Sequence, residues 1–405
     1  MRQFLILLLS LLPVVTAVGA EATIIHNVTG YTSTETGIHE FSALAISDDG
    51  KVVATGGPEL LQRYSKSVRL DGNGKTLLPG LTDAHAHVYG LGFLNVSLDL
   101  AGTPSVTDAV AQIEEYAARN PHADWILGRG WNQVLWPIKE FPTAADIDAV
   151  VSDRPVYLRR IDGHAGWLNT AALEIAGIDD DTPDPIGGKI LRDENGKATG
   201  VLIDKAEELI KAHVPEPDKD DYRAATRKAI AVILSVGITS VHDAGVKIEQ
   251  AEVYMSMADD QELDVRIYAM LKDAGANLDA IGKPRIAYGN DRLDIRSVKL
   301  YIDGALGSRG AALLEPYSDD AENLGLAFLT EQQLVESVRK SNEMGFQVGV
   351  HAIGDRGNQM VLNVYDRLQG GKPSPLRNRI EHSQVIALAD IPRFAELGVV
   401  AAMQP

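Results

Sequence analysis

Hydrophobic and polar positions alternate over short distances in the first part of the chain. Strand-length runs at 43–46, 51–54 and 67–70 are separated by turn signals such as Asp71-Gly72-Asn73-Gly74. Short β-type runs between Asp-, Asn- and Gly-rich turns are typical of strands. This pattern predicts a small β domain over residues 21–78.

Further along, apolar runs of strand length alternate with longer helix-like segments. The predicted strands are 78–88, 238–243, 265–271, 296–303, 347–352, 379–383 and 399–403, and the helices are 222–235, 249–259, 331–344, 358–368 and 387–397. Such alternation is typical of parallel βα units. It predicts an α/β fold, a TIM-type barrel over residues 79–405 with seven strands, one fewer than a closed (β/α)8 barrel.

About 150 residues separate the first two predicted barrel strands, far more than an ordinary loop. This interval contains a helix-like stretch at Val106–Arg119, strand-like runs at 125–128 and Val156–Arg160, and a Gly-rich hairpin signal at 187–202. We therefore predict a large structured insertion, at about residues 89–220, over one end of the barrel.

The first twenty residues differ from the rest. Arg2 precedes an apolar stretch at 4–15, and small residues follow as far as Ala20. This is typical of a secretory signal peptide cleaved after Ala20. An uncleaved membrane anchor is the alternative, but the stretch is shorter than the ~20 residues that a span needs. We expect a secreted or periplasmic protein without a membrane span after cleavage.

Composition limits the available chemistry. The 405 residues include no Cys, and 38 Lys+Arg against 56 Asp+Glu give a net charge of −18. The lack of Cys excludes disulfides, thiolate-bound zinc, iron–sulfur clusters and a thiol nucleophile. The acidic balance argues against nucleic acid as a partner. A metal site would have to use His, carboxylates or a modified Lys.

Histidines recur at the ends of predicted strands. In Asp83-Ala84-His85-Ala86-His87, strand alternation puts Asp83, His85 and His87 on one face. His351 and His382 end two later strand-like runs, where barrel active sites are assembled. Together the four histidines indicate a metal site, although each alone could be a surface or core histidine.

Lys299 lies on a strand whose other face is apolar. In Val298-Lys299-Leu300-Tyr301-Ile302-Asp303, the lysine falls on the face expected to line the barrel interior. A buried ammonium is costly unless it is paired, deprotonated or modified. Lys299 therefore either pairs with an interior carboxylate or forms a carbamate with CO2, whose oxygens could bridge two divalent metals. Imidazole and oxygen ligands suit Zn²⁺ first, with Mn²⁺, Fe²⁺ or Co²⁺ next.

These strands belong to an ordered set of motifs. The set is Asp83-Ala84-His85-Ala86-His87, Gly128-Arg129-Gly130-Trp131-Asn132, Phe141-Pro142-Thr143, Asp162-Gly163-His164-Ala165-Gly166-Trp167-Leu168-Asn169, Val298-Lys299-Leu300-Tyr301-Ile302-Asp303-Gly304-Ala305-Leu306-Gly307-Ser308-Arg309, His351-Ala352-Ile353-Gly354-Asp355 and Arg379-Ile380-Glu381-His382. It resembles the amidohydrolase superfamily, and more narrowly its amidohydrolase-3 branch, which includes N-substituted formamide deformylases. The resemblance runs from about residue 23 to the end of the chain.

The resemblance implies a (β/α)8 barrel with a two-metal site, and a small β-sandwich built from both ends of the chain. The implied metal ligands are His85, His87, Lys299, His351 and His382. The first two histidines would hold the more buried metal, the last two the other, and carboxylated Lys299 would bridge both. A hydroxide between the metals would then attack a substrate carbonyl that one metal polarises.

The resemblance also indicates residues outside the ligand set. Asp83 is placed with Lys299 as catalytic, in the role of orienting a ligand, with satisfying the turn as the alternative. The candidate substrate-pocket residues are His164, Trp131 and Arg309, each with a structural role as the alternative. His242 and Asp243 could approach the pocket, but packing explains them equally well.

One feature of the family pattern is missing. Its barrel ends with an eighth-strand Asp that binds the buried metal and moves a proton to the leaving amine, whereas this sequence stops at Met403-Gln404-Pro405. We expect a truncated chain, because an open barrel would expose a long strand edge. The alternative is that Asp303 or Asp355 substitutes.

The resulting prediction is an exported metal-dependent amidohydrolase that cleaves a non-peptide C–N bond, in an amide or cyclic amide, of a small-molecule substrate. Hydrolysis of an ester or phosphoester is the enzymatic alternative. A catalytically inert barrel that binds metal or ligand is the alternative of another class. A homodimer is an assembly that the sequence leaves open.

Overall fold

The computed structural model of the chain describes residues 22–306 and 309–404. These residues form two compact units, with the boundary after Gly80. The predicted signal peptide and its cleavage site lie outside the described residues. No helix within the two described ranges is long and apolar enough to cross a membrane.

The first unit is one five-stranded sheet with a short helix. Its elements are β1 (Thr23–Thr34), β2 (Gly37–Ile46), β3 (Val52–Gly56), α1 (Glu59–Arg63), β4 (Val68–Asp71) and β5 (Thr76–Leu77). The strand order is β3-β2-β1-β4, with β5 also paired to β1. Ile24, Ala43 and Ala45 pack with Leu60 of α1. A sheet thus forms where the alternating pattern predicted strands, and its completion into a sandwich stays a prediction.

The second unit opens with the first barrel strand and continues into the insertion. Its first elements are β6 (Leu81–Ala86), α2 (Val88–Val96), β7 (Leu98–Asp99), α3 (Val106–Arg119), β8 (Ile126–Trp131), a 3₁₀ turn (Gln133–Leu135), α4 (Ala144–Asp148), β9 (Val156–Arg160), β10 (Ala165–Leu168), α5 (Thr170–Ile175), β11 (Gly188–Arg192), β12 (Ala198–Asp204) and α6 (Glu207–Lys211). The helix predicted at 106–119 matches α3, because Ser105 caps its start by accepting the N–H of Asp108 (3.1 Å).

The insertion has a sheet and a core of its own. Six strands run in the order β11-β12-β10-β9-β8-β7, with β7, β8 and β9 parallel and the others antiparallel. Trp131, Trp136 and Trp167 pack in its core, with ring centres 6.1–6.4 Å apart. These rings belong to a hydrophobic cluster separate from that of the barrel, and aromatic packing stabilises it.

The remaining elements complete the barrel. They are α7 (Lys219–Ser235), β13 (Ile238–Val246), α8 (Ile248–Asp259), β14 (Arg266–Lys272), α9 (Ala276–Ile281), β15 (Arg285–Ala287), α10 (Tyr288–Asp291), β16 (Leu293–Tyr301), α11 (Glu331–Glu343), β17 (Gln347–Ala352), α12 (Asp355–Gln369), β18 (Arg379–His382), α13 (Ile391–Leu397) and β19 (Val400–Ala402). Seven strands pair in parallel in the order β6-β13-β14-β16-β17-β18-β19, and β15 pairs antiparallel with β16. Each predicted barrel strand therefore has an observed counterpart.

The seven-stranded sheet is curved so strongly that its first and sixth strands are in contact. Arg379 of β18 donates to the carbonyl oxygen of Ala84 in β6 (2.9 Å), and Glu381 of β18 lies 2.6 Å from His85 of β6. Because β6 and β18 are first and sixth in the strand order, these contacts require a strongly curved sheet. The predicted α/β barrel of parallel strands is confirmed in a nearly closed form, with seven parallel strands in the described part of the chain.

Candidate metal centre

The strand register collects chemically active side chains at one end of the barrel. Tyr301 of β16 pairs with His351 of β17, which pairs with Glu381 of β18. Two residues earlier on each strand, the same register pairs Lys299 with Gly349 and Gly349 with Arg379. Because side chains two residues apart on a strand share a face, both layers point into the barrel.

The four predicted histidine ligands lie in one cluster. The ring centres of His351 and His382 are 4.5 Å apart, those of His85 and His382 4.6 Å, and those of His85 and His87 5.5 Å. His85 lies on β6 and His87 directly after it, His351 lies on β17, and His382 ends β18. Curvature of the sheet brings these strands together.

Hydrogen bonds orient two of the rings. Nδ1 of His85 lies 2.6 Å from Oε2 of Glu381, and Nδ1 of His382 lies 2.6 Å from Oε1 of Gln404. Each ring is therefore held through Nδ1, which leaves its Nε2 for another partner.

The backbone at His382 is strained. His382 and Ser383 have φ angles of 75° and 42°, in the left-handed region that non-glycine residues seldom adopt. The hydroxyl of Ser383 donates to the carbonyl oxygen of Ile380 (3.2 Å) and helps to hold this turn. Such strain costs about 1–3 kcal/mol and persists where the surroundings impose it, as they do at binding sites.

Two ring nitrogens of the cluster make no hydrogen bond. Nε2 of His85 and Nε2 of His351 are buried and make no hydrogen bond within the described residues. Burial, together with nearby charges, lowers the pKa of His351 and of His382 to about 4. Both rings are therefore neutral at pH 7 and carry free lone pairs, which is the form that binds a metal ion.

Lys299 is buried beside the cluster. Its side chain is among the largest that are fully buried, and its Nζ lies 5.3 Å from the ring centre of Tyr301. Within the described residues no carboxylate lies at ion-pair distance from Nζ, which disfavours a simple salt bridge. Burial lowers the pKa of Lys299 to about 8, against the opposing charge of Glu381. A buried amine of lowered pKa suits carbamate formation, which stays a prediction.

The side chains present suit divalent metal ions, and the ligand set implied by the resemblance would divide them between two. No group of three or more His, Asp or Glu residues in the described ranges is arranged to hold one ion. The predicted ligand set does not require such a group of three, because each ion would bind two histidines and share modified Lys299. The two ring nitrogens without hydrogen bonds are atoms that such ions would satisfy, and Lys299 would contribute through the oxygens of its carbamate.

Asp303 holds the backbone beside the cluster. It accepts the N–H groups of Ile353 (2.9 Å), Gly354 (2.8 Å) and Ala312 (2.9 Å), and its Oδ1 is 3.5 Å from Nε2 of His351. Burial raises the pKa of Asp303, against these three bonds. Asp303 thus ties the segment after His351 to the segment after β16.

Two other candidate carboxylates are also bonded to backbone. Asp83 accepts the N–H of His85 (3.0 Å), and Asp355 accepts the N–H of Leu314 (2.8 Å). This contact favours the turn-satisfying role of Asp83, which the sequence left as an alternative. A catalytic part for either carboxylate stays a prediction.

His242 and Asp243 serve different neighbours. Nδ1 of His242 accepts a hydrogen bond from Arg379 (2.6 Å), and burial lowers the pKa of His242 to about 4. Asp243 accepts the hydroxyl of Tyr254 (2.6 Å) and the N–H of Val88 (3.1 Å), and burial raises its pKa to about 6. His242 is therefore linked to the cluster through Arg379, whereas Asp243 fastens α2 and α8 to β13.

The hydrogen bonds and ion pairs of the three predicted pocket residues go to residues outside the histidine cluster. Trp131 is fully buried in the insertion and donates its indole N–H to the carbonyl oxygen of Leu158 (2.8 Å), which favours packing. His164 is exposed beside Asp204 (2.8 Å), and Arg309 is exposed in an ion pair with Asp319 (2.8 Å). Their roles in substrate binding stay predictions.

Sequence reasoning missed several contributors to the site. They are Tyr301, Arg379, Glu381 and Gln404. Arg379 and Glu381 lie within a motif that was recognised, and they flank Ile380, which is fully buried in the outer core. Because neighbouring side chains on a strand face opposite sides, the outward-facing Ile380 indicates that Arg379 and Glu381 point into the barrel.

Comparison with known proteins identifies relatives. A profile of the amidohydrolase family, Amidohydro_3, matches residues 70–405. The amidohydrolase YtcJ of Bacillus subtilis is 32% identical over 374 residues, 88% of this chain and 68% of YtcJ. The N-substituted formamide deformylase of Arthrobacter pascens is 27% identical over 352 residues, 83% of this chain and 64% of that enzyme. The chain therefore spans about two thirds of the length of these relatives.

Solved structures share the fold. A metal-dependent hydrolase from Pyrococcus furiosus superposes with a TM-score of 0.78 at 26% identity, over 94% of this chain and 76% of that one. The motifs, the family profile, the relatives and the common fold agree, and the chain belongs to the amidohydrolase family, in its amidohydrolase-3 branch.

Proposed function

We propose that this protein is a metal-dependent hydrolase that cleaves the C–N bond of an amide or cyclic amide in a small molecule. The observation that carries the proposal is the cluster of His85, His351 and His382, in which two buried ring nitrogens make no hydrogen bond. Membership of the amidohydrolase family and the deformylase relative support an amide as the bond that is cleaved.

The side chains would have two roles in this reaction, which are orienting the metal ligands and balancing the charge of the metal ions. Two divalent ions, zinc first, would supply Lewis-acid activation of water and of the substrate carbonyl. Glu381 and Gln404 orient His85 and His382 through Nδ1. Lys299, after its neutral amine adds to CO2 and releases a proton, would contribute an anion in place of a cation. That anion lowers the cost of keeping two cations in a buried site.

Metal content and substrate panels test the proposal. The full chain, purified without added metal, is analysed by mass spectrometry and then assayed with N-formyl and N-acyl amines, beside ester and phosphoester panels. We expect bound metal and amine release. His351→Ala and His382→Ala should lose both, and His122→Ala, which changes an exposed histidine outside the predicted site, should keep both.

Two results would contradict the proposal. Well-folded protein that takes up no divalent metal would exclude the metal centre. Amine release that survives His351→Ala undiminished would place the chemistry elsewhere. Ester or phosphoester turnover without amine release would favour the enzymatic alternative, and metal binding without any turnover would favour the inert barrel.

Export and assembly are also proposals. Export rests on the sequence of residues 1–20, and N-terminal sequencing of the mature protein should give Glu21 as the first residue. A homodimer stays a prediction that light scattering can test.

A further inference from the structure

A chain of four hydrogen-bonded side chains crosses the barrel interior next to the histidine cluster. It runs from His85 on β6, through Glu381 and Arg379 on β18, to His242 on β13. The distances are 2.6 Å from His85 Nδ1 to Glu381 Oε2, 2.7 Å from Arg379 Nε to Glu381 Oε1, and 2.6 Å from an Arg379 terminal nitrogen to His242 Nδ1. All four side chains come from the barrel strands and none belongs to the insertion.

The donors and acceptors in this chain fix where its protons lie. A guanidinium only donates, so Nδ1 of His242 must accept and carry no proton. Neutral His242 therefore carries its proton on Nε2. Glu381 is fully buried and takes two hydrogen bonds from Arg379. The two bonds, at 2.7 and 3.0 Å, join both carboxylate oxygens to the guanidinium, so Glu381 is the ionised partner of a buried ion pair and can only accept.

His85 must then be the opposite tautomer. Its Nδ1 donates to ionised Glu381, and a neutral ring that carries a proton on Nδ1 has a lone pair on Nε2. Nε2 of His85 is also one of the two buried ring nitrogens without a hydrogen bond in the described residues. Two neighbouring strands thus hold histidines with opposite proton positions, set by one Arg–Glu pair.

The space for this pair is provided by a glycine. A Cβ on Gly349 of β17 would lie 2.9 Å from Oε1 of Glu381 and 2.5 Å from Cε of Met270. The strand beside β18 therefore leaves room for the carboxylate where any side chain would displace it. This close approach restrains Glu381 sterically as well as by hydrogen bonds.

We propose that Glu381 and Arg379 are positioning residues that keep His85 in the Nδ1–H tautomer and so present its Nε2 lone pair to the metal centre. The metal part of this inference rests on the proposed function. The tautomer is a property of the metal-free protein and can be measured alone. A pair that only ties strands together would require neither a fixed tautomer at His85 nor an effect on metal affinity.

Long-range ¹H–¹⁵N correlation spectra of ¹⁵N-histidine-labelled, metal-free protein measure the tautomers directly. The chain has 10 histidines, so His85→Ala and His242→Ala spectra assign the two signals by difference. We expect His85 as the Nδ1–H form and His242 as the Nε2–H form. His85 as the Nε2–H form in the wild type would overturn the inference without any variant.

Glu381→Gln tests the dependence on the carboxylate. The amide oxygen would stay with Arg379 and its NH2 group would face His85, so we expect loss of the single Nδ1–H form and zinc binding about 10- to 100-fold weaker. Glu381→Asp should restore part of both. The matched control is Glu207→Gln, which changes a buried carboxylate bonded to Tyr157 and Arg159 in the insertion and should alter neither.

The outcomes separate this inference from the proposed function. Zinc binding with an unchanged His85 tautomer and unchanged affinity in Glu381→Gln would overturn the positioning role and leave the hydrolase proposal standing. The expected tautomer in a protein that binds no zinc would overturn the proposed function, and with it the metal role of the pair. If Glu381→Gln fails to fold, the wild-type spectrum still decides the tautomer.

Discussion

Nζ of Lys299 lies 5.3 Å from the centre of the Tyr301 ring, two residues further along the same strand. The ring face attracts a cation, whereas burial lowers the pKa of the lysine to about 8. The two effects oppose each other, and with a pKa of about 8 the buried amine is partly neutral near neutral pH. The neutral amine is the form that adds to CO2.

The proposed carbamate on Lys299 would be detectable directly. Protein equilibrated with ¹³C-bicarbonate should give a carbamate carbon signal in NMR spectra, and its zinc content should rise with it. Lys299→Ala should lose both the signal and most of the metal, and the exposed Lys228→Ala should keep both. A full zinc complement in Lys299→Ala would remove the lysine from the ligand set.

Asp303→Ala should destabilise the barrel strongly. The substitution leaves the buried N–H groups of Ile353, Gly354 and Ala312 without their acceptor. Each unsatisfied buried group costs about 1–3 kcal/mol, so we expect a loss of about 3 kcal/mol or more in urea unfolding. Asp303→Asn keeps one acceptor oxygen and should lose less. Equal losses in the two variants would contradict the capping role.

Gly349→Ala should damage both stability and metal binding. Its Cβ would overlap Cε of Met270 and crowd Oε1 of Glu381, and overpacking of this kind costs about 1–3 kcal/mol. Adding Met270→Ala removes the closest contact, so the double variant should lose less stability than the sum of the single losses. Gly90→Ala is the control, because its Cβ would meet only His87 at 3.6 Å. Strict additivity would show that the two positions are not coupled.

Asp243 should make the stability of the protein depend on pH. Because burial raises its pKa from 3.8 to about 6, the folded state binds this proton more tightly than the unfolded chain does. Its contribution favours folding at low pH and is lost as the pH rises through about 6. Asp243→Asn should remove this component from urea-unfolding curves measured between pH 4.5 and 7.5, and exposed Asp264→Asn should not. A variant with the same pH profile as the wild type would refute the shift.

Trp131→Phe separates packing from substrate contact. The substitution removes the hydrogen bond to Leu158 and leaves space against Trp136 and Trp167. We expect a loss of about 1–3 kcal/mol in the free energy of unfolding, with zinc per chain and KM for any amide substrate unchanged. A raised KM without a loss of stability would instead place Trp131 at the substrate.

Local signals in the sequence predict the elements well where caps and turns are strong. Helix α3 and strand β17 match their predicted bounds, because a Ser105 cap begins one and a glycine turn precedes the other. Helix α13 begins at Ile391 rather than at residue 387. The N–H of Val385 is bonded to Ile353 and that of Asp390 to Ala387, which holds the intervening residues in turns.

Contacts between distant residues set the limit of prediction at the site. Motif spacing placed His85, His351 and His382 at strand ends, and curvature of the barrel then joined them. The partner of His85 is 296 residues away along the chain, at Glu381, and Arg379 reaches 137 residues back to His242. Alternation shows that such side chains face the interior, but it does not say which of them touch.

The long insertion also bears on how the barrel closes during folding. β6 and β13 are neighbours, although residues 87–237 lie between them. The helices at the two ends of this interval pack closely, since a Cβ on Gly92 of α2 would lie 2.1 Å from the carbonyl oxygen of Ala225 in α7. The entropy of closing a loop depends on the chain between its fixed ends. Once α2 and α7 have met, only short segments separate β6 from β13, so the length of the insertion enters through the meeting of the two helices, where each doubling adds only about 0.6 kcal/mol.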